Sequence, residues 1–303
     1  MNFTAKDVAT LREKTGCGMM DCKKALTEAN GDMEAAIDVL REKGLAKAAK
    51  KAGRIAAEGV AFAYVNESAT VGVVIEVNAE TDFVAKNAEF QEFVKVCANT
   101  VMEQNPADVE ALLACTASGS DQTVDALLKD KILVIGENIK VRRFARLEGK
   151  VAAYIHAGGN IGVLVNFETE ADPTLPAFQE MGKNIAMQVA AMNAPYLNRE
   201  SVPADVLAHE KEILTQQIVN EGKPEAIAQK IVNGRMGKFY KENCLVEQVY
   251  VKDNDLTVQK YADQVGKELG APIAVTGFVR FAKGEGLEKR NDDFAAEIAS
   301  MVK

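Results

Sequence analysis

The chain has 303 residues, 48% hydrophobic and 26% charged, with 22 Gly and 7 Pro. That balance excludes collagen-like, low-complexity and wholly disordered chains, and the length suits about two domains. With 44 acidic and 36 basic residues the net charge is −8, which disfavours non-specific phosphate binding.

Three short helices are expected in the first 44 residues. Thr4-Ala5-Lys6-Asp7 has the spacing of a capping box, followed by a stripe through Val8, Leu11 and Thr15 that ends at Gly16. A second helix runs from about Met19 to Ala29 and closes at Asn30-Gly31; Asp32 caps a third, which Gly44 should stop. In the turn Gly16-Cys17-Gly18-Met19-Met20, two adjacent methionines cannot both face one core. Either one is buried and one exposed, or both form a soft apolar surface for a partner. Residues 45–58 are rich in Ala and Lys and read as a solvated helical linker rather than a basic patch.

Beyond the linker the chain repeats itself. Val71–Asp82 aligns with Ile161–Asp172 at an offset of 90, and Tyr64 with Tyr154; Phe90-Gln91-Glu92 then aligns with Phe178-Gln179-Glu180 at an offset of 88. Each copy reads as a strand hairpin followed by a helix, with turns at Asn66-Glu67-Ser68 and Gly158-Gly159-Asn160. The copies diverge after the second strand, where Thr81-Asp82-Phe83-Val84 stands against Ala171-Asp172-Pro173-Thr174. Phe83 fits either core packing or an exposed wedge for a partner pocket.

The second copy carries an insertion that reads as two helices, Pro203–Asn220 and a partner with Ile227, Ile231 and Phe239, around the turn Glu221-Gly222-Lys223-Pro224. This hairpin either folds back on the core or projects as an arm for docking or dimerisation. Val249-Tyr250-Val251 and Val275–Phe281 should return to the core as strands, and Asp292 or Asp293 should cap a last helix with Phe294, Ala295, Ile298 and Met301.

Little in the sequence points to covalent chemistry. The two histidines, His156 and His209, leave scant material for a triad or a metal site. Gly234-Arg235-Met236-Gly237-Lys238-Phe239 is only loosely phosphate-like, with Phe239 in place of the hydroxyl that binds Mg²⁺. The five scattered cysteines (17, 22, 97, 115, 244) read as buried reduced thiols. No apolar run reaches the roughly 18 residues of a membrane span, and the start lacks a signal core, so a cytoplasmic location is expected.

Taken together, these stretches resemble the bacterial elongation factor Ts family over nearly the whole chain. The resemblance is carried by Leu11–Leu26 with Glu28–Asp32, by Thr81–Lys86, by Ile135-Gly136-Glu137-Asn138-Ile139, by His156 with Ile161–Val165, and by Val275–Phe281. Cys17 departs from the Ala of many relatives, and 103–131 is longer and more irregular. The family pattern implies an α+β fold: a ubiquitin-associated-like bundle (1–52), two core halves (53–148 and 149–283) with a coiled-coil arm at about 199–243, and a C-terminal module (284–303).

It also implies a guanine nucleotide exchange factor for elongation factor Tu, without cofactor, metal or covalent step, and without direct contact to nucleotide, nucleic acid or membrane. Thr81, Asp82, Phe83 and Val84 would enter the partner and dislodge its Mg²⁺, with Phe83 the wedge and Asp82 a polar anchor. Arg12, Met19 and Met20 would touch the partner's nucleotide domain, and Ile135, Gly136 and His156 would be core contacts, His156 no longer a catalytic base. The arm leaves a homodimer or two-to-two complex open. Two rival readings are a scaffold adaptor built on the N-terminal bundle and an enzyme using Glu80 and Asp82 as an acid pair.

Overall fold

A computed structural model describes residues 2–222 and 225–288. Three helices open the chain: α1 (Ala5–Thr15), α2 (Met19–Glu28) and α3 (Met33–Lys51). The first half of the core follows as β1 (Glu58–Val65), β2 (Val71–Ala79), α4 (Asp82–Ala85), α5 (Ala88–Gln104), α6 (Val109–Ala114), α7 (Val124–Ile135) and β3 (Lys140–Glu148). The second half is β4 (Lys150–His156), β5 (Ile161–Glu168), α8 (Pro176–Met192), α9 (Ala204–Asn220), α10 (Glu225–Asn243), β6 (Val249–Tyr250), β7 (Asp253–Thr257), α11 (Val258–Leu269) and β8 (Ala274–Ala282). The fold is thus α+β. The expected last helix at Asp292–Met301, the Lys223-Pro224 turn and the Ile227 side chain lie outside the described residues.

The N-terminal caps form as the spacing predicts. Asp7 N–H donates to the Thr4 hydroxyl at 3.4 Å, and Thr4 N–H donates back to the Asp7 carboxylate at 2.7 Å. Leu11, Cys22, Ala25 and Leu26 close a small core of their own.

Gly44 does not stop the third helix. α3 runs on to Lys51, because tertiary packing outweighs the roughly 1 kcal/mol helix penalty of one glycine. The position lies against α7, where an added Cβ would stand 3.4 Å from Leu133 Cδ2. The expected linker is thus helical as far as Lys51, with Ala46, Ala49 and Lys50 exposed, but it is not free of the core. Ala48 packs on the first core, and Lys51 Nζ donates to the Gly136 carbonyl.

Two antiparallel three-stranded sheets, ordered β1-β2-β3 and β4-β5-β8, form the centre. They pack face to face through Ala63 and Val74 on one side and Val151 and Leu164 on the other. The outer face of the first sheet is covered by α5 and α7, that of the second by α8 and α11. The central strands β2 and β5 are consequently buried on both faces, which explains their near-continuous apolar sequence. The repeat extends to irregularities: β2 and β3 shift register between Glu76 and Val77, and β5 and β8 shift between Asn166 and Phe167.

Several elements differ from the sequence-based expectation. The irregular stretch 103–131 contains α6 and most of α7, and β3 completes the first sheet. Val249-Tyr250 does not rejoin the core sheet; it pairs with β7 as a separate ribbon, and Tyr250 stacks on Tyr261 at 4.3 Å between ring centroids. The inserted helices α9 and α10 pack on each other through Leu214, Ile218, Val232 and Met236. Their base is pinned where Leu245 N–H donates to the Tyr196 carbonyl at 2.9 Å and Arg199 pairs with Glu247 at 2.5 Å.

A single buried carboxylate links the last strand to the first sheet. Glu76 accepts from Arg143 Nε at 2.6 Å, Arg142 Nη1 at 3.0 Å, Asn78 Nδ2 at 3.1 Å and the Gly284 N–H at 2.8 Å. Burial works to raise its carboxyl, but the Gly284, Asn78, Arg143 and Arg142 hydrogen bonds prevail and hold it below its ordinary value. Arg142 Nη2 also donates to the Glu285 carbonyl at 2.5 Å, and Arg143 lies 4.3 Å from the centroid of the Phe281 ring.

Glu76→Ala should cost about 1–3 kcal/mol in urea unfolding, since it removes a buried acceptor from the Gly284 N–H and the Asn78 amide as well as from two guanidinium groups. The depressed carboxyl also sets a pH dependence. Its stabilisation is complete above the unfolded-chain value of 4.5 and is lost as pH falls through the lower folded value. Glu76→Gln should remove that acid-side decline from the urea midpoint. Separately, joining residue 198 to 244 in place of the arm should leave one cooperative transition; collapse of the fold would mean that the core needs α9 and α10.

Candidate functional site

The element carrying Phe83 is built where β2 ends and the chain turns. Thr81 caps α4, its hydroxyl accepting from the Val84 N–H at 3.5 Å. One Glu137 carboxylate oxygen accepts from both the Glu80 and Thr81 N–H groups at 3.0 Å; the other accepts from the Thr81 hydroxyl at 2.7 Å. Glu80 reciprocates by accepting from the Asn138 N–H at 2.6 Å and faces Arg54 at 3.5 Å.

Val84 and Ala85 bury in the first core, so the turn is held on two sides. Phe83 points away from all of this and is 79% exposed. The core-packing reading of Phe83 fails, because its backbone position on α4 faces outward while Val84 takes the inward place. Val84 is an anchor of the turn rather than an exposed contact. Asp82 is exposed and pairs with Lys86 at 3.1 Å; that hydrogen bond is the main reason its carboxyl lies below the usual range. Glu80 and Asp82 thus serve different partners and do not form an acid pair.

The other expected contacts fall into two groups. Ile135 is half-buried against the first core, and Gly136 closes α7 at φ 84°, directly before Glu137. His156 is exposed at the end of β4, with Nδ1 3.1 Å from the Tyr154 hydroxyl. The turn after it is tied to the first sheet, since Ala61 N–H donates to the Gly159 carbonyl at 2.8 Å. Lys283 N–H donates to the Asn160 carbonyl at 2.8 Å, and the Lys283 charge contributes to lowering the Asp82 carboxyl. Hydrogen bonds thus join the Glu80-Thr81 turn to the 135–138 loop, while the His156 turn is tied to the first sheet.

Arg12, Met19 and Met20 lie apart, on the helical bundle. Both methionines are exposed, at 55% and 63%, so neither fills the bundle core. The bundle reaches the Phe83 region through α3 and α7: Leu133 packs into the bundle core, and Lys51 holds the Gly136 carbonyl.

Burial pushes the Cys97 thiol up to about 12 and the Cys244 thiol up to about 11, as inert core cysteines require. Among the described residues, no three His, Cys, Asp or Glu side chains gather closely enough to hold a metal ion. Nor is any helix among them long and apolar enough to cross a membrane.

Glu137 lies inside a stretch the sequence singles out, yet its role is not evident there. Its bonding partner Thr81 is 56 residues away, and no local pattern announces the pairing.

A helical bundle, two back-to-back repeats and a braced turn with an exposed phenylalanine define a two-module α+β protein with an inserted helical hairpin. The chain belongs to the elongation factor Ts family. The family profile described as Elongation factor TS matches residues 80–285. The chain is 53% identical over 308 aligned positions to elongation factor Ts of Syntrophotalea carbinolica, covering all of both proteins. It is 51% identical to those of Clostridium kluyveri, over 99% of each chain, and Clostridioides difficile, over all of this chain and 99% of that one.

The packing of α3 on α7 generates a prediction. A chain starting at Gly53 loses Ala48 and Lys51, and uncovers Leu133. Its urea midpoint should fall, and amide exchange at Thr81–Val84 should accelerate. An unchanged midpoint would show that the bundle is a mere appendage.

Proposed function

We propose that this chain is a guanine nucleotide exchange factor for elongation factor Tu. It binds the GDP-bound GTPase, disturbs the Mg²⁺–phosphate site and promotes GDP release so that GTP can bind. Family membership supports the partner. The observation that carries the mechanism is the exposure of Phe83 on a turn braced by Glu137 and anchored by Val84.

GDP is held largely through its phosphates and the partner's Mg²⁺. A rigid apolar ring pushed into the partner beside that site deforms it without touching the nucleotide. Phe83 is the wedge and Asp82 a polar anchor; Thr81 and Val84 hold the turn. Ile135, Gly136 and His156 supply neighbouring contacts, and Arg12, Met19 and Met20 dock on the nucleotide domain. The coupling is reciprocal: a factor that weakens GDP is itself weakened by GDP to the same degree, so incoming nucleotide releases it. No cofactor and no covalent step enter this scheme.

Residues 1–52 form the docking module in this reading, 53–148 and 149–283 the two core halves, and 284–303 a C-terminal module. The arm at about 199–243 is a second docking or dimerisation element, and the protein acts in the cytoplasm.

Phe83→Ala tests the proposal directly. Truncating an interface anchor costs about 2–4 kcal/mol, so factor-stimulated release of labelled GDP from elongation factor Tu should slow roughly 30- to 1000-fold. Because the ring is already exposed, the urea-derived stability should stay within about 0.5 kcal/mol of wild type. Wild-type release by the variant would rule out the wedge.

A further inference from the structure

A one-turn helix cannot hold itself. Helices shorter than about 12 residues are marginal in water, and α4 has four. The direction of Phe83 must therefore be fixed from outside the turn. We propose that Glu137 is the positioning residue of the exchange site, its carboxylate clamping the Thr81 turn so that Phe83 is presented in one orientation. The proposal rests on the exchange reading above.

The geometry is that of a purpose-built brace. Both Glu137 oxygens are engaged, with three donors from two consecutive residues at 3.0, 3.0 and 2.7 Å. Hydrogen bonds to a carboxylate are roughly twice as strong as neutral ones. Glu80 closes the ring from the other side through the Asn138 N–H at 2.6 Å, so the two segments hold each other. Asn138 Nδ2 in turn donates to the Arg54 carbonyl at 2.8 Å, extending the brace to the chain that leaves α3. With Val84 and Ala85 buried on the inner side, the Phe83 side chain is the part of the turn left free.

The internal repeat supplies an independent control. α7 closes at Gly136 and α11 closes at Gly270, both left-handed, and each is followed by the strand that completes its sheet. The residue after the closing glycine is Glu137 in the first copy and Ala271 in the second. The residue it would hold is Thr81 in the first copy and Ala171 in the second. The carboxylate and the side-chain hydroxyl it accepts from are thus both missing from the copy that has no exposed aromatic, and only the backbone donors remain. There the turn is closed locally instead, Asp172 accepting from the Thr174 N–H at 2.9 Å and its hydroxyl at 2.7 Å. If the clamp served the fold alone, the second copy would need it equally.

A floppy turn would bind the partner and lose the ordering of Phe83 at the step where the ring must push. The clamp therefore acts on the exchange step more than on encounter. The test uses stopped-flow release of fluorescent GDP from elongation factor Tu, titrated with full-length chain. Glu137→Ala should lower the maximal rate roughly 10- to 100-fold, the range set by losing charged hydrogen bonds. The half-saturating concentration should stay within about 2-fold. Amides of Thr81–Ala85 should exchange faster with solvent. Glu137→Gln, which keeps one acceptor, should fall between.

The double variant Phe83→Ala/Glu137→Ala should release GDP no more slowly than Phe83→Ala alone, because the clamp acts through the ring. A wild-type maximal rate for Glu137→Ala, or a double variant slowed by the product of the two single effects, overturns the clamp while the wedge stands. A wild-type rate for Phe83→Ala overturns the wedge reading itself, and the clamp's part in exchange with it. If Glu137→Ala fails to fold, Glu137→Gln decides: a wild-type rate with a lowered urea midpoint means a purely structural carboxylate.

Discussion

The closeness of the two sheets governs the rest of the molecule. A Cβ at Gly72 would stand 2.6 Å from Val151 Cγ1 and 3.0 Å from Leu164 Cδ2. One at Gly162, the same position in the repeat, would stand 3.1 Å from the Ala61 carbonyl oxygen and from Val74 Cγ2. Side chains are absent there because the facing strands occupy the space. With the sheets so near, β2 and β5 lose both faces to the interior, and each sheet needs a helix pair on its outer side. Four layers follow, and with them the room for a buried carboxylate, Glu76, that binds the exit of β8 to the first sheet.

That packing also explains where the site sits. The sheets supply the base, and the turn leaving the second strand is a place where the two halves differ in chemistry. In the second half the turn is short-circuited by its own aspartate; in the first it is held by a residue from a distant loop and carries an aromatic outward. The N-terminal bundle is not remote from this arrangement. α3 runs past Gly44, and its last turn reaches the loop that carries Glu137, so the methionine-bearing surface and the phenylalanine share a mechanical path through α7. Such a path fixes the separation between the two exposed apolar features, which a flexible linker could not do.

Much of this was legible in the sequence, for reasons tied to particular residues. The caps at Thr4 and Asp32 are local patterns and form as written. The repeat shows because burying both faces of β2 and β5 forces similar apolar runs. β3 escapes notice because Arg142, Arg143 and Arg146 break its apolar alternation, and their buried partner Glu76 lies in another strand. α11 is absent from the sequence-based expectation, although Val258, Ala262 and Val265 share its buried face. Gly44 misled because a helix-breaking tendency of about 1 kcal/mol says nothing about a helix waiting alongside. Phe83 could not be placed from its residue type, which favours the interior; its outward direction follows from Val84 taking the inward position. The Glu137 clamp was invisible because hydrogen bonds between distant segments leave no periodic trace.

The base of the inserted hairpin has one more consequence. The chain departs near Tyr196 and re-enters at Leu245, and these two points are bonded to each other. For the core, whatever lies between them is a loop already closed, and the closure entropy of such a loop grows only with the logarithm of its length. Selection on the core therefore exerts little pull on how long the hairpin is or what its tip contains. The arm is the part of this molecule free to drift, and differences between species in reach and surface chemistry should accumulate there first.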